Sequence, residues 1–209
     1  VTGKIFMQSF VRAIFATLFV LIAVAVGWVT YTWFDRSNEE APYGAPFQMT
    51  DMNGQPITEA AFAGHPSAVF FGFTHCPDIC PTHLARQVCP TTLFEMKGWF
   101  DKLGDEGKNI KAYFISVDPA RDTPQLLKDY ISNVTDRVTG ITGTEDSIAE
   151  LAKAWGVYYK KVDTSGGDYT MDHTALVFLL DSKARFHGTI AYGENPDTAL
   201  AKMKRLSKL

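Results

Sequence analysis

The stretch Ser67-Ala-Val-Phe-Phe-Gly-Phe-Thr74, followed at once by His75-Cys76-Pro-Asp-Ile-Cys80-Pro81, carries the strongest structural signal in the chain. Residues 67–74 form a short run of β-branched and aromatic side chains, which is typical of a strand buried on both faces. The two cysteines come directly after this strand and before a helical pattern at residues 82–103. In an open α/β sheet, functional groups concentrate beyond the carboxyl ends of the strands. The sequence therefore predicts a functional cysteine pair at one edge of a sheet.

Strand and helix patterns alternate through the rest of this region. Further strands are predicted at 110–117, 157–162, 174–180 and 185–191, with a small hairpin over 47–57 and helices at 123–133, 145–155 and from Asn195-Pro196 onward. This order predicts an α/β domain in which helices flank a central sheet. It is compatible with a thioredoxin-like fold and, taken alone, with other α/β arrangements.

The N-terminal segment is strongly apolar. Residues 13–34 (AIFATLFVLIAVAVGWVTYTWF) contain no charged side chain, and a helix of this length would reach roughly 33 Å, enough to cross a bilayer core. A cleaved signal peptide would have a shorter apolar region and a small-residue cleavage site, and a buried core helix would show a polar face. We therefore predict that residues 1–35 are a membrane anchor with one transmembrane helix.

Charge around the anchor predicts its orientation. Lys4 and Arg12 precede the apolar segment, and basic flanks stay on the cytoplasmic or matrix side. The expected location is a single-pass inner membrane protein with its soluble domain in the periplasm or the intermembrane space. Residues 36–46 are polar, with two prolines and a glycine in SNEEAPYGAP, which predicts a linker before a domain at 47–209.

Overall composition narrows the class of protein. A hydrophobic fraction of 46% and a charged fraction of 21% are typical of globular chains and argue against wholesale disorder. A net charge of −3 argues against a nucleic-acid partner, which would require a concentrated basic surface. The cysteine count of 3 is odd and too low for a disulfide scaffold.

Cys76 and Cys80 suit redox or metal chemistry. A thiol at the N-terminus of a helix has a lowered pKa, and the thiolate is both the nucleophile of disulfide exchange and the form that binds metal. Two inert structural cysteines in a proline-flanked loop would be unusual. Thioredoxin-type sites place two residues between their cysteines, whereas this loop has three. A structural zinc site would need a second ligand pair, and two thiolates with an imidazole would suit Cu(I).

The chain has 5 histidines, at positions 65, 75, 83, 173 and 187. His173 differs from the others by its position, after the Gly166-Gly167 loop and at the entry to the apolar run TALVFLL. Asp172 could orient its imidazole, as carboxylates do for metal-binding histidines. Spacing alone leaves His173 a candidate third ligand.

Three motifs in order resemble the Sco/SenC proteins: Gly72-Phe-Thr-His-Cys-Pro-Asp-Ile-Cys-Pro81, Ser116-Val-Asp-Pro-Ala-Arg-Asp-Thr-Pro124 and Asp172-His-Thr174. These are membrane-anchored, thioredoxin-fold copper proteins that help to assemble the dinuclear copper centre of cytochrome c oxidase. The resemblance covers about residues 42–206. It implies that Cys76, Cys80 and His173 bind one copper ion, as Cu(I) or Cu(II).

The resemblance also assigns expected roles to neighbouring residues. Asp118 should face the rim of the copper site and tune it, while Arg121 and Asp122 should form a local ion pair that holds their loop together. His83 stands where the family often has an acidic residue; an exposed helix-face histidine is preferred here over an auxiliary ligand. Cys89 is expected to be a small buried apolar residue on its helix, without a partner.

Two functions follow from the resemblance. The first is a copper chaperone that delivers its ion to the copper-binding subunit of cytochrome c oxidase, with a second chaperone as a possible source of copper. The alternative is a thiol-disulfide oxidoreductase, in which Cys76 and Cys80 reduce the copper-ligand cysteines of that subunit. A peroxiredoxin-like peroxidase fits less well, because it usually depends on one activated thiol beside an arginine.

Overall fold

The computed structural model describes residues 16–32, 42–75, 88–164 and 166–209. The chain divides into two units, Val1–Ala41 and Pro42–Leu209. In the first unit, residues 16–32 form helix α1. Across the described ranges, no helix combines the length and apolarity that a membrane crossing requires. The two ends of the predicted span, 13–15 and 33–34, lie outside the described residues.

The second unit is a mixed α/β domain. Its strands are β1 (Gln48–Asp51), β2 (Pro56–Thr58), β3 (Ser67–Gly72), β4 (Lys111–Ser116), β5 (Val138–Thr142), β6 (Tyr159–Asp163), β7 (Tyr169–His173), β8 (Leu176–Leu180) and β9 (Phe186–Ala191). Its α-helices are α2 (Val88–Leu103), α3 (Pro124–Ser132), α4 (Glu145–Trp155) and α5 (Pro196–Leu206). Residues 82–87 of the predicted 82–103 helix lie outside the described residues.

Seven strands form one sheet in the order β2-β1-β5-β4-β3-β8-β9. β4 runs parallel to β3 and to β5, and β8 pairs antiparallel with β3. All residues of β3 are buried. Phe70 and Phe71 point to opposite faces; Phe71 contacts Trp155 of α4, and Phe70 contacts Phe114. Phe114 of β4 in turn contacts Tyr130 of α3, so both faces at this strand are covered, as residues 67–74 predict.

β6 and β7 form a separate two-stranded hairpin. Tyr159 pairs with His173 at its open end, and the amide of Thr174 donates to the carbonyl of Tyr158. Two residues later the chain enters β8, beside β3. This connection places His173 close to the carboxyl-terminal end of β3, from which the cysteine segment leaves.

Two strands have no counterpart in the sequence prediction, β5 and β7. In β5, a Cβ at Gly140 would lie 2.8 Å from Cδ1 of Ile131, so the close approach of α3 requires a residue that weakens the strand signal. β7 reads Tyr-Thr-Met-Asp-His, with none of its residues buried. A mostly polar, partly buried ribbon of this kind lacks the apolar periodicity by which strands are recognised.

Tyr43, within the segment predicted as a linker, packs against the domain. Its ring stacks on Phe186 with centroids 5.0 Å apart, and its hydroxyl donates to the carbonyl of Trp155. Its amide donates to the carbonyl of Ala184. The packed part of the chain therefore includes Tyr43.

Candidate metal centre

His173 is the one predicted metal ligand that falls within the described ranges. It is the last residue of β7. Cys76 and Cys80 lie outside the described residues, as does His83. The described residues that come just before Cys76 are Phe73, Thr74 and His75, which follow β3 directly.

The imidazole of His173 is held in one orientation. Its Nδ1 lies 3.0 Å from the carbonyl oxygen of Thr174. Because a carbonyl can only accept, this contact assigns the proton to Nδ1 and leaves the lone pair on Nε2. Asp172, expected to orient the ring, is exposed, and the observed orienting group is the Thr174 carbonyl.

Aromatic packing favours the neutral imidazole. The rings of Phe70 and Phe73 meet that of His173 edge-on, at centroid distances of 6.0 and 5.7 Å. Burial lowers the pKa of His173, and this outweighs the opposing effects of the Thr174 hydrogen bond and the charge of Asp172. A neutral ring with its lone pair on Nε2 is the form that binds a metal ion.

Cys89 contacts Nε2 of His173, the ring nitrogen that carries the lone pair. It lies on α2 and is 0% exposed, so the expectation of a buried helical residue is confirmed. Its Sγ is 3.4 Å from Nε2 of His173, so the expectation that it lacks a partner is wrong. Sequence reasoning missed this contact because α2 and β7 meet only in the folded domain, and no spacing relates the two residues.

Replacing Cys89 with alanine is expected to keep one copper per chain and to cost about 1 kcal/mol of stability, because it deletes a small buried side chain. Stability is measured by urea unfolding of the metal-free chain, and copper by atomic absorption after desalting. Cys89→Ser, which retains a polar atom beside Nε2, is the matched control. Loss of copper in both variants would instead make Cys89 a metal ligand.

The ion pair expected between Arg121 and Asp122 is wrong. Nε of Arg121 donates to Oδ2 of Asp118, which is 3% exposed. Oδ1 of Asp118 accepts from the hydroxyl of Tyr169 at 2.9 Å. Residues 118–121 close a turn in which the Arg121 amide donates to the Asp118 carbonyl. This turn brings the guanidinium back to Asp118.

Asp122 instead binds the segment that leads to the cysteines. It is 0% exposed and accepts from the amide and the hydroxyl of Thr74, at 3.1 and 2.6 Å, and from the hydroxyl of Ser116 at 2.6 Å. Burial raises the pKa of Asp122, although these three hydrogen bonds oppose the shift. His75, half exposed, has its Nδ1 3.8 Å from Oδ1 of Asp122. Asp122 thus fixes the backbone two residues before Cys76.

Within the described ranges, no three His, Cys, Asp or Glu side chains converge in a way that could hold a metal ion. The described part of the predicted site is one imidazole, the thiol of Cys89 and two phenylalanine rings. Its chemistry is that of one nitrogen donor in an apolar setting, facing the segment that enters the cysteine pair.

Known proteins match this chain over most of its length. A family model described as SCO1/SenC matches residues 35–87 and 83–208. The chain is 35% identical over 173 residues to Protein SCO2, mitochondrial, of Saccharomyces cerevisiae, covering 81% of this chain and 54% of that protein. The chain thus spans about half the length of that relative.

Solved structures extend the comparison to the fold. Bradyrhizobium japonicum ScoI, determined with copper bound, is 43% identical, with a TM-score of 0.68 over 78% of this chain and 99% of that one. BsSco, described as a member of the Sco family of cytochrome c oxidase assembly proteins and as having a disulfide switch, is 26% identical, with a TM-score of 0.60 over 80% and 95% of the two chains. The thioredoxin-like α/β fold predicted from the sequence is confirmed, and the chain belongs to the SCO1/SenC family.

Proposed function

We propose that this chain is a copper chaperone that holds one copper ion through Cys76, Cys80 and His173 and delivers it to the dinuclear copper site of cytochrome c oxidase. One observation carries the proposal: the neutral imidazole of His173 packs against Phe73, three residues before Cys76. Three residues span at most about 11 Å. The chain that leads into the cysteine pair therefore runs beside the nitrogen that would bind the copper ion.

The donor set suits copper as cargo. Two thiolates and an imidazole are soft ligands of the kind that Cu(I) prefers. Three ligands leave one side of the ion open, so thiolates of an acceptor protein can replace them one at a time. The bound copper in ScoI supports this assignment, and the description of BsSco as an oxidase assembly protein supports the copper-binding subunit of the oxidase as acceptor.

The N-terminal unit acts in this proposal as the membrane anchor. Residues 16–32 form a helix without a charged side chain, in which Phe19 and Trp28 are 74% and 70% exposed. With the basic flank on the cytoplasmic or matrix side, the copper domain lies in the periplasm or the intermembrane space. Anchoring on the membrane face of the oxidase would raise the effective concentration of the two proteins.

A second candidate function is thiol-disulfide exchange, and the disulfide switch of BsSco favours it. Cys76 and Cys80 would pass from dithiol to disulfide while a disulfide of the oxidase subunit becomes two thiols, so that two electrons and two protons are transferred. Copper and a disulfide compete for the same sulfur atoms. The two functions therefore make different demands on His173, which exchange chemistry does not need.

The deciding experiment offers the chain to the copper-binding subunit of an oxidase in two forms. We expect the copper-loaded chain to transfer its ion to the reduced subunit, which then develops the visible absorption of a dinuclear copper site. We expect the metal-free, reduced chain to leave the disulfide form of the subunit unreduced, as judged by thiol alkylation and mass spectrometry. The opposite pair of results would favour the oxidoreductase.

A further inference from the structure

Both ligand segments of the proposed site are tied to one loop, residues 117–123, here called the bridging loop. On one side, Asp122 accepts two hydrogen bonds from Thr74, just before Cys76. On the other side, Asp118 and Arg121 bind Tyr169, four residues before His173. The bridging loop therefore contacts the residues that precede Cys76 and the residues that precede His173.

The contact with Tyr169 is made by several groups at once. Its hydroxyl donates to Asp118 at 2.9 Å, and Nη1 of Arg121 donates to its carbonyl at 2.9 Å. The guanidinium lies 3.6 Å from the centre of the tyrosine ring, and the ammonium of Lys161 lies 3.8 Å from that centre. Arg121 also pairs with Asp168 at 3.3 Å. Cation–π contact and charge-assisted hydrogen bonds together fix the ring firmly.

The bridging loop is itself rigid. The amides of Arg121 and Asp122 both donate to the carbonyl of Asp118, and the amide of Asp118 donates to the hydroxyl of Ser116 at the end of β4. Asp118 and Asp122 are 3% and 0% exposed. The Asp118 carboxylate accepts from Arg121 and Tyr169, and that of Asp122 from Thr74 and Ser116. Either carboxylate would be left buried without compensation if it lost these donors, so the loop has a strong preference for this one arrangement.

Apart from Tyr169, the β6–β7 hairpin contacts the core through Tyr159, Met171 and the ring of His173. Its strands pair with each other and not with the main sheet. A cavity of about 390 Å³ lies between the hairpin, the bridging loop and the start of α4, and its lining includes Tyr169, Met171, Asp118 and Ile148. The contact at Tyr169 therefore attaches the end of β7 opposite to His173.

We propose that the bridging loop sets the spacing between His173 and the chain that leads into Cys76, with Tyr169 as the positioning residue for His173 and Asp122 as the positioning residue for Thr74 at the entry to the cysteine pair. This inference rests on the proposed function for its link to copper. The contact between Tyr169 and the bridging loop can be tested without metal. Failure of this inference can therefore be distinguished from failure of the proposed function.

The test compares Tyr169→Phe, which removes the hydroxyl and keeps the stacked ring, with Tyr158→Phe, the same change at an exposed tyrosine at the base of the hairpin. Both are made in the full chain and in a His173→Ala background. Amide hydrogen exchange of residues 169–173 is measured on the metal-free protein. Cu(I) affinity is measured by competition with a chromophoric chelator.

We expect Tyr169→Phe to speed exchange in the hairpin and to weaken copper binding roughly 10-fold, the lower end of the effect of groups that orient metal ligands. In the His173→Ala background, it should have no further effect on copper. Tyr158→Phe should change neither quantity. Thr74→Val, which removes one donor to Asp122, should weaken copper binding in both backgrounds because it acts through the cysteine side.

Unchanged hairpin exchange in Tyr169→Phe would overturn the positioning role whatever the copper affinity does. An equal loss of affinity in both backgrounds would also overturn it, because the effect would then bypass His173. If His173→Ala alone leaves copper binding intact, the proposed ligand set fails, and the link between the bridging loop and copper fails with it.

Discussion

Substituting serine for both Cys76 and Cys80 is expected to abolish copper retention. The two thiolates supply the soft donors that Cu(I) selects, whereas a serine hydroxyl is a hard donor that stays protonated at neutral pH. The imidazole of His173 would be left as a single ligand beside the buried thiol of Cys89. The measurement is copper per chain after reductive loading and desalting, with one ion expected in the parent and less than about a tenth of that in the variant, in keeping with the loss of two of three ligands.

The single variants make this test sharper. Cys76→Ser and Cys80→Ser should each weaken binding severely, because each leaves one thiolate and one imidazole. Cys89→Ser is the matched control, since it changes a cysteine that is fully buried on α2. Full copper retention in the double variant would show that the ion binds elsewhere and would remove the basis of the chaperone proposal.

The part of the fold around β3 could be predicted because its signal is local. Residues 67–74 are a continuous apolar run, and every residue of β3 is buried. A buried strand can be predicted from such a run without knowing which strands it pairs with. The cap of α3 is similar: Thr123 and Pro124 are adjacent in sequence, and the Thr123 hydroxyl accepts from the amide of Leu126.

The contacts that organise the site could not be predicted because they are not local. Arg121 stacks on Tyr169, and Asp122 binds Thr74, across intervals of about fifty residues. The sequence places Arg121 beside Asp122 and so suggests a pair, but the turn sends one side chain to the hairpin and the other to the end of β3. Neighbouring charges in a tight turn need not face each other.

His173 shows how much of the site could be predicted from the sequence alone. Its position before an apolar run made it a candidate, and the motif resemblance made it a predicted ligand. The structure adds the hydrogen bond of Nδ1 to the Thr174 carbonyl, the packing against Phe73 and the contact with Cys89. The contacts with Phe73 and Cys89 leave no trace in spacing, because they join side chains that meet only in the folded domain. The hydrogen bond to Thr174 is local, but it depends on a ring orientation that the sequence does not show.

Replacing His173 with alanine is expected to lower the affinity for Cu(I) at least roughly 100-fold, beyond the 10- to 100-fold range typical of groups that merely orient a ligand. The variant keeps both cysteines but removes the nitrogen donor. Because burial lowers the pKa of His173, the parent imidazole is neutral at pH 7, and the comparison at that pH measures the ligand itself rather than the removal of a proton. Competition with a Cu(I) chelator gives the affinity ratio.

The matched control is His187→Ala, because His187 lies on β9 and is exposed. It should bind copper as tightly as the parent. Urea unfolding of the metal-free variants separates ligand loss from misfolding, since His173 also packs against Phe70 and Phe73. A folded His173→Ala variant with parental affinity would leave two thiolates as the whole site. That result would favour thiol-disulfide exchange, for which the reduction potential of Cys76 and Cys80 becomes the deciding quantity.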